Sequence, residues 1–399
     1  MTTNAQLLMS KSHFSAVPFH PVPRDEQPIW AGTTQTRDEL LRIVNEVKHG
    51  SLELSHLAVV YGEYGSGKTH ALKYLRSQLQ KTDKVITSYL EKPKVEKKAS
   101  FHGIVKEIIK QIGERPLRQA AEPFVKYISD ESKRLALDNI DSSNIPGSVD
   151  QFIKTRAAEF KRGLQEQLYQ PFPELFELFE GLVENDPSAW RYFTGKPTAA
   201  SLSRYSLTSP MEDDHDALKA LAGIYQVLTT KYDQIPNTPI FDAAYLFLDE
   251  LEQLLEIKTD EVLSIRTGIR DIFNACTQHF CLVLAATAEN VSFFHALLEE
   301  ALMVRLTAEP IHIVSHDNIQ EGVDFVKELM SNFRSSPAPS AYHPFTQEAL
   351  SKIVDRTTLP KTARKLILNC RRAWEQNGQI VSSGGEITEE EIDRVIGFL

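Results

Sequence analysis

Ala58-Val59-Val60-Tyr61-Gly62-Glu63-Tyr64-Gly65-Ser66-Gly67-Lys68-Thr69 decides the reading of the chain. It fits G-x-x-x-x-G-K-[ST] at every fixed position. An apolar β-type run, Leu57 to Tyr61, comes before it, and a helical pattern of Ala71, Leu72, Leu75 and Leu79 follows. Strand, glycine loop and helix in that order make a phosphate-binding loop. The glycines let backbone N–H groups turn inward around phosphate oxygens, and the start of the helix adds positive potential. Lys68 is placed to reach the β- and γ-phosphates, and the Thr69 hydroxyl to bind Mg2+. A plain glycine-rich surface loop would not need every one of these positions filled.

The bulk composition narrows the setting. A chain of 399 residues has room for two or three domains, and 42% hydrophobic with 25% charged residues reads as globular. A net charge of −10 argues against a broad nucleic-acid-coating surface, though not against a local basic patch. Cys276, Cys281 and Cys370 form neither a metal spacing nor a disulfide framework, so a reduced cytoplasm is expected. The sequence shows no signal-peptide pattern and no run approaching 18 apolar residues, so no membrane association is expected.

Outward from the loop, residues 1–29 are polar and broken by Pro18, Pro21, Pro23 and Pro28, which predicts an extended arm. Trp30 precedes a helix expected over Thr36 to Lys48. It either touches a nucleobase or packs as core, and core is the simpler reading. Val85 to Leu90 reads as a second strand. It ends in Glu91-Lys92-Pro93-Lys94-Val95-Glu96-Lys97-Lys98, a phosphate-contacting loop or, more simply, a solvated one. Residues 101–235 read as a mostly helical insertion, with loops expected at Asp138–Asp150 and Gly195–Asp214.

Ala243-Ala244-Tyr245-Leu246-Phe247-Leu248-Asp249-Glu250 is an apolar run ending in two acids, a buried strand presenting carboxylates at its end. Asp249 would hold Mg2+ through water, and Glu250 would orient the attacking water. The distance from Thr69 far exceeds the roughly 30 residues of one βαβ crossover, which is why 101–235 reads as an insertion. Phe280 to Thr287 reads as another buried strand. Thr287, with Asn290 behind it, stands where a side chain can sense the γ-phosphate, or is an ordinary strand end. Leu297–Leu306 reads as a helix carrying Arg305, which either reaches the site of a neighbouring subunit or complements its own helix dipole. A strand at Ile311 to Val314 follows, and residues 317–399 read as a helical lid in which Arg364 opens a helix. The expected fold is α/β: a P-loop parallel sheet split into 30–100 and 236–316, with the helical insertion between and the lid after.

Taken together, these features resemble the AAA+ class, closest to its origin-recognition-like initiator branch. A narrower resemblance lies in Gly62-Glu63-Tyr64-Gly65-Ser66-Gly67-Lys68-Thr69-His70, which is similar to the loop of BREX-type ATP-binding proteins of bacterial phage-defence clusters. Trp190-Arg191-Tyr192-Phe193-Thr194-Gly195, a helix over Ala217–Leu228 and Leu248-Asp249-Glu250-Leu251-Glu252 extend it. The resemblance implies ATP and Mg2+ as cofactors, Lys68 and Thr69 on phosphate and metal, and Asp249 and Glu250 on metal and hydrolysis. It further implies Thr287 as first sensor, Arg305 as a finger in trans and Arg364 as second sensor. Two departures stand out. The Gly usual before the sensor Arg is missing ahead of Arg364, and no winged-helix DNA-binding domain follows the lid. DNA contact is therefore expected only indirectly, through an assembly.

Three functions follow. The leading one is an ATPase coupling nucleotide state to assembly with copies of itself and with other proteins of a defence or DNA-processing system. The others are a slow nucleotide-dependent switch or scaffold, and a DNA-loading or translocating ATPase. No H-E-x-x-H, G-x-S-x-G or Cys/His cluster points to a protease, esterase or metal enzyme.

Overall fold

The computed structural model describes residues 2–20, 29–48, 55–81, 84–93, 100–138, 149–168, 175–195, 197–205, 211, 213–298, 300–306 and 309–395. At its centre is a parallel sheet of β1 His56–Gly62, β2 Val85–Leu90, β3 Ala243–Leu248, β4 Phe280–Thr287 and β5 Ile311–His312. The order across the sheet is β2-β3-β4-β1-β5. All the paired strands run the same way, so their carboxyl ends share one edge.

Alternation along the strands builds two cores. Ala58, Val60, Tyr245, Phe247, Val283 and Ala285 point to one face, where Leu40 and Ile43 of helix Thr34–Lys48 meet Ala71, Leu72 and Leu75 of the P-loop helix Lys68–Gln80. Leu57, Val59, Leu246, Leu248, Leu282 and Leu284 point to the other. There helices Phe101–Ile112, Asp214–Thr229 and Thr259–Ala275 cover them. Every residue of β3 is buried, as a central strand with helices on both faces requires.

The insertion between β2 and β3 is helical in its described parts, as expected, and it does more than hang from the sheet. Its first and last helices form part of a sheet-covering layer, and one apolar core runs from the strands through to Phe124, Phe176, Phe179 and Phe193. Between these, helices Glu114–Asp138 and Val149–Leu168 pack on each other. The loop expected over Gly195–Asp214 contains a short helix, Ala199–Arg204, followed by Tyr205, whose hydroxyl donates to Asp186.

The helix expected across Leu297–Leu306 is interrupted. Ser292–Leu297 and Glu300–Met303 are separate, with Leu298 extended between them. An unbroken helix at about 100° per residue would spread Leu297, Leu298, Leu302 and Met303 around most of its circumference. With the break, all four are buried in one core.

The lid comprises helices Ile319–Asn332, Gln347–Arg356, Ala363–Gln376, Gly378–Ser382 and Glu389–Val395. Before the last helix, Glu391 accepts from the Thr388 N–H at 2.8 Å, and Ile387 and Ile392 are both buried.

The N-terminal arm departs from the extended expectation. Thr2–Lys11 is a helix, and Leu8, Phe14 and Phe19 belong to the lid's own core. Phe19 meets Phe345 and Trp374 edge-on at 5.9 and 6.0 Å, and the Trp374 indole donates to Ser12 at 2.9 Å. Apolar burial against the lid orders a segment too polar to order itself. Three of the four prolines on which the extended reading rested, Pro21, Pro23 and Pro28, lie outside the described residues, as do Lys94, Lys97 and Lys98.

Candidate functional site

The site lies at the carboxyl edge of the sheet, under the lid. The loop after β1 runs Glu63 to Gly67 and enters its helix with Gly67 in a left-handed conformation, φ 120°. That helix has no side-chain cap and no acid in its first turn. Its first N–H groups and positive dipole end are thus available to an anion. Gly65, at φ 80°, faces the lid, and its carbonyl accepts from the Arg364 backbone N–H at 3.0 Å. The Ser66 hydroxyl is buried with no hydrogen-bond partner among the described residues. Glycines, the first amides of the helix and a hydroxyl orphaned among the described residues make a cradle that fits a chain of phosphates.

Lys68 stands inside this cradle. Its ammonium donates to the Gly62 and Glu63 carbonyls at 3.0 and 2.9 Å. Burial lowers its pKa, opposed by the nearby carboxylates of Glu252, Asp249 and Glu63. A cation parked on its own loop's carbonyls is poised to exchange them for phosphate oxygens.

Asp249, 1% exposed, is held on three sides. Thr69 Oγ1 donates to it at 2.7 Å, the Tyr89 hydroxyl at 2.8 Å and the Glu250 N–H at 2.8 Å. Burial raises its pKa against these hydrogen bonds. The Thr69 hydroxyl and the Asp249 carboxylate form a pair of hard oxygens suited to a hydrated Mg2+. Glu250 sits in a left-handed conformation, φ 49°. Its carboxylate is 3.6 Å from the Lys92 ammonium and accepts from Gln253 Nε2. Burial raises its pKa, and Lys92 opposes the rise.

Strand order brings the remaining groups in. Because β4 lies between β1 and β3, Thr287 stands between the phosphate loop and the acid pair, paired with Gly62. Arg364 comes from the lid, its guanidinium 4.7 Å above the Tyr64 ring and donating to the Tyr64 hydroxyl. The phosphate-loop residues Tyr64 to His70, Asp249, Glu250, Thr287 and Arg364 line one cavity. Arg305 does not join them: it is exposed and donates to Asn274.

The far end of the cavity is apolar and is shared by arm, sheet and lid. Trp30 packs at 5.2 Å on Tyr74 of the P-loop helix, its indole N–H buried without a partner among the described residues. His70, in the cavity lining, also hydrogen-bonds the Ile29 carbonyl and so ties the arm to the phosphate loop. Burial depresses its pKa. His316 stacks on Phe325 at 4.5 Å, and burial holds its pKa down to about 4. A flat, neutral, apolar slot beyond a phosphate cradle suits a nucleobase.

Three of these residues carry no role in the sequence reading. Tyr89 was visible only as a strand residue, because its contact depends on β2 lying beside β3. Glu252 was visible only as the last letter of Asp-Glu-x-Glu. His316 had no signal at all.

A family model described as an AAA domain matches residues 53–163, which takes in β1, the phosphate loop and β2. Comparison with curated proteins finds no match. Over these residues the chain is similar to AAA domains, and with the parallel P-loop sheet and the cradle the match supports a nucleotide-binding, ATPase-type function.

Proposed function

We propose that this chain binds ATP with Mg2+ and hydrolyses it to ADP and phosphate, using the cycle to drive assembly with copies of itself and with partner proteins. The observation that carries the proposal is convergence. Phosphate loop, acid pair, strand-end Thr287 and lid Arg364 come from four distant parts of the chain and line one cavity. Lys68 and Arg364 would neutralise the triphosphate. Thr69 and Asp249 would hold the metal, which supplies charge neutralisation at the β- and γ-phosphates. Glu250 would orient the water.

Assembly is supported by Arg305, exposed beside Val304 (80% exposed) and outside its own chain's cavity, as a group serving a neighbour's site would be. The resemblance of the phosphate loop to BREX-type proteins supports bacterial antiviral defence as the setting, in the cytoplasm. No helix among the described residues is long and apolar enough to cross a membrane. One observation favours the slow-switch reading instead: Glu250 is occupied by Lys92 and Gln253, so the water-orienting group is engaged at rest.

The test is ATP turnover across a protein concentration series, for wild type and Arg305→Ala, with and without duplex DNA. Specific activity that rises with concentration and is lost in Arg305→Ala supports a shared site. A flat profile unaffected by the substitution rejects assembly and leaves the monomeric switch. Stimulation by DNA would favour the loading or translocating reading.

A further inference from the structure

Among the described residues, Glu252 is the one carboxylate lining the cavity that neither the metal pair nor the water-orienting role uses. After Asp249 the backbone takes a left-handed step at Glu250 and enters the short 3-10 helix Leu251–Glu256. Leu251 and Leu254 plunge into the core on one side of that turn. Glu250 is thereby drawn to Lys92, while Glu252 faces the phosphate loop and the end of β4.

At that end a backbone donor needs an acceptor. Pairing between β3 and β4 stops at Leu248 with Leu284. On the other edge of β4, the Ala288 N–H still reaches β1, donating to the Gly62 carbonyl at 3.2 Å. Backbone donors alternate sides along a strand, so the Thr287 N–H points to the side that β3 has already left. Glu252 Oε2 accepts it at 2.9 Å. Glu252 and Lys68 line the same cavity, and the negative charge of this carboxylate opposes the fall that burial imposes on the Lys68 pKa.

We propose that Glu252 is a positioning residue: its oxygen replaces the missing strand partner of Thr287, and its charge steadies Lys68 at rest and opposes the entry of phosphate. The assignment rests on the nucleotide reading above for its second half only. The two halves separate chemically. Gln keeps an acceptor for the Thr287 N–H but carries no charge, whereas Ala has neither.

The experiment uses the full chain as wild type, Glu252→Gln and Glu252→Ala, with three readouts: amide hydrogen exchange at Thr287 without nucleotide, ATP affinity, and kcat. Glu252→Gln should keep Thr287 protected, bind ATP about three- to tenfold more tightly through loss of a repelling charge, and keep kcat within about twofold. Glu252→Ala should also bind ATP at least as tightly as wild type. It should exchange the Thr287 amide at least about tenfold faster, and lose roughly tenfold or more in kcat as Thr287 drifts.

A merely structural role would not tighten binding in either variant. The assignment is overturned if Glu252→Ala leaves Thr287 protected, if Glu252→Gln fails to tighten ATP binding, or if Glu252→Gln loses as much kcat as Glu252→Ala. If the wild type releases no phosphate, the hydrolysis reading alone falls, and exchange and affinity still decide on Glu252.

Discussion

Replacing Gly65 by Ala should undock the lid from the phosphate loop. Gly65 sits at φ 80°, where a side chain costs about 1–2 kcal/mol. A Cβ there would stand 2.9 Å from the Cβ of Arg364 and 3.2 Å from Thr362 Oγ1. The first of these is fixed to the backbone of the lid helix, so relief requires the helix itself to move. Overpacking of this kind adds about 1–3 kcal/mol, for a total of roughly 2–5 kcal/mol. The upper end applies only if the lid cannot retreat. If it retreats, the 3.0 Å hydrogen bond from the Arg364 N–H to the Gly65 carbonyl breaks, and Arg364 leaves the cavity.

Urea unfolding gives the stability change, and ATP affinity of Gly65→Ala, Arg364→Ala and the double variant gives the coupling. Because the two residues act through one contact, Arg364→Ala should cost little on the Gly65→Ala background. A stability loss under about 0.5 kcal/mol, or strictly additive effects on ATP affinity, would refute the reasoning.

Two further outcomes follow. Tyr89→Phe removes one of the three hydrogen bonds that oppose the raised pKa of Asp249. It should lower stability by about 1–2 kcal/mol in a denaturation series and weaken Mg2+-dependent ATP binding, whereas an unchanged protein would show that Tyr89 is a bystander. His316 has a folded pKa of about 4 against an ordinary 6.5, so between those values the unfolded chain binds the extra proton. Stability should therefore be full above pH 6.5 and fall as pH drops towards 4, by up to about 3 kcal/mol from this group. His316→Phe should flatten that part of the stability-against-pH curve, and an unaltered slope would contradict the buried neutral assignment.

What the sequence revealed and what it hid divide along the range of the interactions. The phosphate loop and the Asp249-Glu250 strand end are local patterns, set by residues within a turn or a strand of one another. Sheet order is not local. That β4 separates β1 from β3 follows from packing across the whole chain, and with it go the placement of Thr287 and the contact between Tyr89 and Asp249.

The arm illustrates the same limit. Helix Thr2–Lys11 has weak amphipathic character, and it is anchored by Leu8, which packs on the lid where Gly378 leaves room. Glu252 stood in plain view in the motif. Its partner is a backbone N–H on a strand 35 residues later, which no spacing rule reaches. Arg305 was read as a residue for a neighbouring site, and its exposed place on a single chain supplies no partner for that role.

The most direct measurement is steady-state phosphate release from Mg·ATP by wild type and Glu250→Gln, with ATP affinity measured on the same preparations. The account predicts turnover in the wild type and a loss of roughly a hundredfold or more in Glu250→Gln, with ATP affinity retained, because the role proposed for Glu250 is to orient the attacking water and not to bind the nucleotide. Equal turnover in both, or no ATP binding by either, would contradict it.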